Sequence, residues 1–151
     1  MRDAPEVYLR EVLPSDLSVH FEQQRDPESA RLSVTKPRDR AAFDAQWTKI
    51  LADSSGLVRS IVAGGELVGS VFCFLNGDQR EVGYRVGREH WSRGIATAAL
   101  ALLLAEVTER PLHAAVAEHN PASLRVLEKR GFRRVGVKRD DDATMHLLRL
   151  D

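Results

Sequence analysis

Apolar and polar residues alternate along Val7-Tyr8-Leu9-Arg10-Glu11-Val12, the period of a half-buried strand. Ser15 or Asp16 can then cap a helix running to about Gln24. Between Pro27 and Pro37 the segment 26–39 is polar and reads as a loop with at most short helical turns. Over 40–52 the period becomes helical, with Phe43, Trp47 and Ile50 on one face. Two β-rich runs follow, 57–63 and 66–75, joined by the hairpin turn Gly64-Gly65. Asn76-Gly77-Asp78 is a second turn, and 79–86 is a third strand with Val82, Tyr84 and Val86 on one face. From Gly94 the pattern is strongly helical over 95–109, and Pro111 marks its end. A short apolar strand, 112–116, precedes a helix capped by Asn120, opened by Pro121 and stopped by Gly131. The runs 133–137 and 144–150 are the last strands.

That order predicts an α/β (α+β) fold with a mixed, mostly antiparallel sheet of about seven strands flanked by about four helices. The first three strands after the helical region form an antiparallel meander. The strand–helix–strand unit that follows calls for one parallel pairing. No repeat, low-complexity tract or long linker divides the chain, so residues 1–151 are expected to form a single domain.

Composition narrows the picture mainly by exclusion. Lysine and arginine balance aspartate and glutamate at 22 each, so nothing points to nucleic acid or a membrane surface. The charged stretch 1–13 lacks the apolar core of a signal peptide. The most apolar stretch, 95–107, is shorter than the roughly 20 residues needed to span a bilayer. The lone Cys73 lies in the apolar run 67–75 and reads as a buried thiol. A single cysteine excludes an internal disulfide and suits a reducing compartment, so a cytoplasmic protein is expected. The five histidines show no metal-ligand spacing, and no metal is expected. The Gly-Lys-Ser/Thr element of a P-loop hydrolase is absent.

Two segments carry chemistry. In Trp91-Ser92-Arg93-Gly94-Ile95-Ala96-Thr97 a strand gives way to a long helix. Gly94 lets the backbone turn and a ligand approach. The free N–H groups and positive dipole end of the helix suit a pyrophosphate, and Arg93 adds a charge. A plain hinge at Gly94 is the alternative. In the second segment, 120–132, Asn120 and Ser123 lie three apart at the start of a helix.

Together these segments resemble the GNAT superfamily of N-acetyltransferases. That family has a Gln/Arg-x-x-Gly-x-Gly/Ala loop leading into a helix, then an Asn-x-x-Ser/Ala helix ending in Gly-Phe. The stretch Glu81-Val82-Gly83-Tyr84-Arg85-Val86, the loop 91–97 and the helix from Asn120 to Phe132 match in order and spacing. The pattern is most similar to the branch that acetylates N-terminal amines of ribosomal proteins. Two positions depart from the family. Trp91 stands where many members have Gln or Arg, and Leu127 stands where many have a tyrosine that protonates the departing thiolate.

The resemblance implies acetyl-CoA as cofactor. Its pyrophosphate would lie on Arg93, Gly94, Ile95, Ala96 and Thr97. The strand end at Val86 would pair with the pantetheine arm, and its amides would polarise the thioester carbonyl. Asn120 would hydrogen-bond the arm and Ser123 would sit near the sulfur as a proton source. Lys129, Arg130, Arg133 and Arg134 would reach a phosphate or form a solvated rim. Glu81 is the candidate base, through water, or else an exposed strand carboxylate. His90 and His119 flank the motifs. The acceptor pocket is expected from the first two helices, the loop 24–38 and the last strands.

The implied reaction is direct acetyl transfer to a primary amine on a small molecule or a peptide, by a monomer or homodimer. A binding module of the same fold without transfer is the alternative. A thiol titrates near 8.5, so the thiolate leaves readily. An α-amine near 7.8 is roughly one tenth neutral at pH 7, and a lysine near 10.4 about once in 2,500. Weak base catalysis therefore suits an α-amine.

Overall fold

The computed structural model describes residues 5–151; the first four residues of the charged N-terminal stretch lie outside them. Seven strands form one sheet: β1 (Val7–Arg10), β2 (Leu57–Ala63), β3 (Glu66–Asn76), β4 (Gln79–Val86), β5 (Leu112–Ala117), β6 (Arg133–Arg139) and β7 (Thr144–Leu150). Five α-helices accompany it: α1 (Leu17–Arg25), α2 (Pro27–Ser33), α3 (Arg40–Ala52), α4 (Ile95–Glu106) and α5 (Pro121–Lys129). The strand order is β1-β2-β3-β4-β5-β7-β6. Every pairing is antiparallel except β4–β5, where α4 makes the crossover. The mixed, mostly antiparallel sheet expected from the pattern is therefore present.

The fifth helix corrects the expected count. The segment 26–39, read as a loop with at most short helical turns, contains the seven-residue α2. Asp26 caps it by accepting the Ser29 N–H at 2.9 Å, and Pro27 occupies the first turn. Proline is tolerated there because that N–H has no helical partner. Its punctuation marks a start and not a break. Val34, in the left-handed region at φ 54°, ends the helix. Asp39 then caps α3 through the Ala42 N–H at 2.9 Å.

Two further boundaries move. α4 stops at Glu106, three residues before the expected end, because Val107 turns extended and buries its side chain. The Val107 carbonyl is satisfied by Arg110 Nη1 at 2.8 Å. β6 runs on to Arg139, and a bulge at Val135 shifts its register against β7. Asn120 caps α5 as expected, accepting the Ser123 N–H at 3.3 Å, and Gly131 follows at φ 95°.

α4 lies against the sheet with Ile95, Ala99, Leu100 and Leu103 buried among Val71, Leu112 and Leu148. Apolar residues nearly encircle it, so it is a core helix, open at Leu102 and its last turn and at its N-terminus. Cys73 is buried, and burial pushes its thiol up. No helix among the described residues is long and apolar enough to cross a membrane.

Candidate active site

The site begins where two strands part. β4 and β5 pair only at Arg80↔Leu112 and Glu81↔His113. Beyond these rungs they diverge, and the rest of both strands lines a cavity of about 730 Å³. α5 forms one wall and α2 another, and the N-terminus of α4 closes the end. A cavity of this size suits an organic ligand.

β4 offers main-chain groups to this opening. The Gly87 N–H bonds across to Val68 of β3 at 2.8 Å. Successive residues of an antiparallel ladder alternate in direction, so Tyr84 and Val86 turn their N–H and C=O groups away from β3, into the cleft. The Val86 carbonyl is already taken by Trp91 Nε1 at 2.7 Å. The indole that replaces the family's Gln or Arg thus pins the loop to the end of β4. The N–H groups of Val86 and Tyr84 are the ones left for a ligand.

The turn into α4 is shaped by two left-handed residues, Ser92 at φ 62° and Gly94 at φ 76°. No side chain caps the helix, and its first internal bond runs from the Ala98 N–H to the Gly94 carbonyl at 3.1 Å. The N–H groups of Ile95, Ala96 and Thr97 therefore have no intrahelical partner and point outward, a geometry that could hold an anion. A Cβ on Gly94 would meet no protein atom within 4 Å, which leaves that approach open. Arg93 contributes backbone here; its exposed side chain stands outside the cavity lining.

On the α5 wall Ser123 meets a partner that sequence reasoning missed. Its Oγ lies 2.6 Å from the Tyr84 hydroxyl, across the cleft. Burial raises the Tyr84 phenol above its ordinary value, partly offset by the Ser123 bond, so it stays protonated at neutral pH. Leu127 sits one helical turn beyond Ser123 and is buried. The hydroxyl lacking at Leu127 is thus supplied to the same helix face from the strand. A signal did exist: a tyrosine on an otherwise valine face needs a hydrogen-bond partner when buried.

The remaining candidates are spread around the opening. Asn120 Nδ2 donates to the Leu32 carbonyl of α2 at 3.4 Å, so its side chain joins α5 to α2. Glu81 lines the cavity, half-buried, and accepts from Asn76 Nδ2 at 3.2 Å. His90 is buried beside the loop, whereas His119 is exposed and bonds the Arg31 carbonyl at 2.7 Å. Lys129 lines the cavity; Arg130, Arg133 and Arg134 do not, and the latter two pair with Asp151 and Glu128. No cluster of three or more His, Cys, Asp or Glu among the described residues could hold a metal.

A family model described as the acetyltransferase (GNAT) domain matches residues 6–133. The chain belongs to the GNAT acetyltransferase family. Solved structures with this GNAT fold superimpose over nearly the whole chain. A spermidine N-acetyltransferase from Vibrio cholerae, in complex with CoA and spermine, has a TM-score of 0.84 at 16% identity, covering 95% of this chain and 94% of its own. The aminoglycoside acetyltransferase AAC(6')-Ib in complex with coenzyme A gives 0.81 at 18% identity, covering 96% and 94%. An acetyltransferase from Agrobacterium tumefaciens gives 0.80 at 22% identity, covering 100% and 93%. No curated protein matches the sequence significantly. These likenesses establish the family and fold; they do not reach the ribosomal-protein branch.

Proposed function

We propose that the chain is an acetyl-CoA-dependent N-acetyltransferase acting on a primary amine. One observation carries the reading. The cleft between β4 and β5 runs from an open helix N-terminus, fit for a pyrophosphate, to a hydroxyl pair, Tyr84–Ser123, fit to deliver a proton.

Acetyl-CoA fits the residues present. The nest at Ile95, Ala96 and Thr97 would hold its pyrophosphate, with Arg93 and Gly94 shaping the approach. The free N–H groups of β4 up to Val86 would hold the arm, and Asn120 shapes the facing wall. When bound, acetyl-CoA supplies a thioester whose acetyl group passes to a neutral amine with loss of a thiol. Ser123 is the proton source toward that sulfur. With the Tyr84 O–H donating to Ser123 Oγ, the serine proton is free to point into the cleft. Glu81 takes the proton the amine must lose, through water.

The acceptor is an α-amine or another amine of modest basicity, on a peptide N-terminus or a small molecule. Making a lysine neutral at pH 7 costs about 4.6 kcal/mol, against about 1.1 for an α-amine (1.36 per pKa unit). Acetylation of a free N-terminus should outpace that of an internal lysine in a matched, blocked peptide. The buried lone Cys73 fits our placing of the enzyme in the cytoplasm.

The test joins calorimetry with a thiol-release assay over a panel of amines. Gly94→Val puts a branched side chain at φ 76° and into the phosphate approach. Loss of acetyl-CoA binding in this variant is expected. Binding as tight as wild type overturns the cofactor assignment. Tight binding with no thiol release by any amine reduces the chain to a binding module.

A further inference from the structure

We infer that the acceptor carries a carboxylate, bound by the Arg85 guanidinium on the α2 side of the cleft. The inference rests on the transferase reading for which molecule is bound, and on the local geometry for its charge.

Arg85 lies on the face of β4 opposite Tyr84, together with Glu81 and Gly83. A Cβ on Gly83 would come within 2.5 Å of the Phe72 ring, so that ring lies over the glycine. This face therefore presents a carboxylate, an aromatic surface and a guanidinium in order. Glu81 and Arg85 are four residues apart, roughly 13 Å along the strand.

The Arg85 guanidinium has only neutral partners. Nη1 donates to Ser29 Oγ at 3.0 Å, and Nη2 donates to Ser33 Oγ at 3.3 Å and Thr35 Oγ1 at 3.4 Å. Among the described residues no carboxylate pairs with it. The neighbouring acid, Asp26, is committed elsewhere. It accepts from Arg88 Nε at 3.1 Å and Nη2 at 2.6 Å, and from the Ser29 N–H at 2.9 Å. Burial draws the Arg85 pKa down, and the charge of nearby Asp26 offsets this only in part; a half-buried cation with no carboxylate hydrogen-bonded to it is costly.

The cluster has donors to spare. A guanidinium has five N–H groups, and three contacts leave two. The Ser33 hydroxyl donates to the Ser29 carbonyl at 2.8 Å, which turns the Thr35 hydroxyl toward Ser33 at 3.0 Å. The Ser29 hydroxyl proton is left without a partner. The two guanidinium N–H groups that remain are on Nε and Nη1; the Nη1 one lies beside the Ser29 hydroxyl, and an N–H with an adjacent O–H matches the two oxygens of a carboxylate. The wider lining agrees: Glu81 is its one carboxylate, against the cations Arg85, Arg125 and Lys129.

Two probe pairs test this by calorimetry on the CoA-saturated protein. One is the amidated peptide Ala-Glu-Ala-Ala against Ala-Gln-Ala-Ala. The other is γ-aminobutyrate against its amide. We expect at least one acid to bind about tenfold tighter than its amide twin, the order of a charge-assisted hydrogen bond. The pair that discriminates tells whether the carboxylate belongs to a peptide side chain or a free amino acid. Arg85→Gln should erase the difference and leave CoA affinity unchanged; Arg85→Lys should keep part of it. The inference is overturned if neither acid outbinds its twin in wild type, which requires no variant to fold, or if the preference survives in Arg85→Gln. Thiol release is followed in parallel samples given acetyl-CoA in place of CoA. A bound acidic peptide that is never acetylated counts against the transferase reading and leaves the carboxylate site standing.

Discussion

Two polar clusters tie the N-terminal helices to the sheet, and they are finished differently. In the first, Asp16 is buried between α1 and β2 and accepts four hydrogen bonds. Arg10 gives two, at 2.6 and 3.0 Å, the Leu13 N–H one at 2.8 Å and the Ser60 hydroxyl one at 2.9 Å. His20 Nε2 approaches Ser60 Oγ at 3.1 Å, and its ring stacks on Trp47. Every charge there is answered. In the second, Arg85 reaches α2 through hydroxyls alone and keeps donors unspent. The cleft repeats that incompleteness at the α4 N-terminus and the Tyr84–Ser123 pair. A closed cluster stabilises the fold; an open one has a cost that a ligand can offset.

The closed cluster should fail hardest when broken. Asp16→Ala strands Arg10, the Leu13 N–H and Ser60 without their acceptor. We expect a loss of about 3 kcal/mol, read from denaturant midpoints. Acetyl-CoA affinity of the folded fraction should not change. A loss below about 0.5 kcal/mol, the range of ordinary surface substitutions, would show that the cluster is dispensable.

The open groups should behave in the opposite way. Tyr84→Phe and Ser123→Ala should each lower turnover about tenfold, within the span of general acid catalysis. Stability should change by no more than about 1 kcal/mol, the worth of one hydrogen bond. If the hydroxyls act as one donor, the double variant should be no slower than the slower single one. Multiplied losses would separate their roles. Unchanged turnover in Ser123→Ala would leave Ser123 as helix surface only.

The same contrast explains what could be read from the chain. The end proposed for the cofactor depends on local chemistry: a glycine before an apolar helix, and Asn120 with Pro121 opening the next. Such signals lie within a few residues of their effect. The acceptor side depends on pairs brought together by the fold. Tyr84 meets Ser123 across 39 positions, and Arg85 meets Ser29 across 56. No period or spacing announces those meetings. α2 was hidden by its own proline and polar surface, and its place is set by what it packs against. The insertion of β7 between β5 and β6 is equally non-local.

The smallest expected effect is a pH dependence centred on the closed cluster. Burial pushes His20 below its ordinary value, with Asp16 opposing only in part. The imidazole is thus neutral in the folded state where an unfolded one would take a proton. With the Ser60 hydroxyl donating to Asp16, the His20 Nε2–H donates to Ser60. That leaves Nδ1 buried without a partner, ready to protonate only when the site opens. The unfolded chain then binds more protons below about pH 6.5, so stability should be full above that value and decline as pH falls. Asp16 adds a second decline. Burial alone would raise it, but Arg10, the Leu13 N–H and Ser60 together hold it at about 2, below the ordinary 3.8. Its contribution is present above about pH 4 and is lost as pH falls toward 2. Urea midpoints from pH 8 to 3 should show two steps down, the first absent in His20→Gln. A profile flat from pH 7 to 5 in the wild type would mean that His20 titrates as it does in the unfolded chain, and the closed cluster would not be closed.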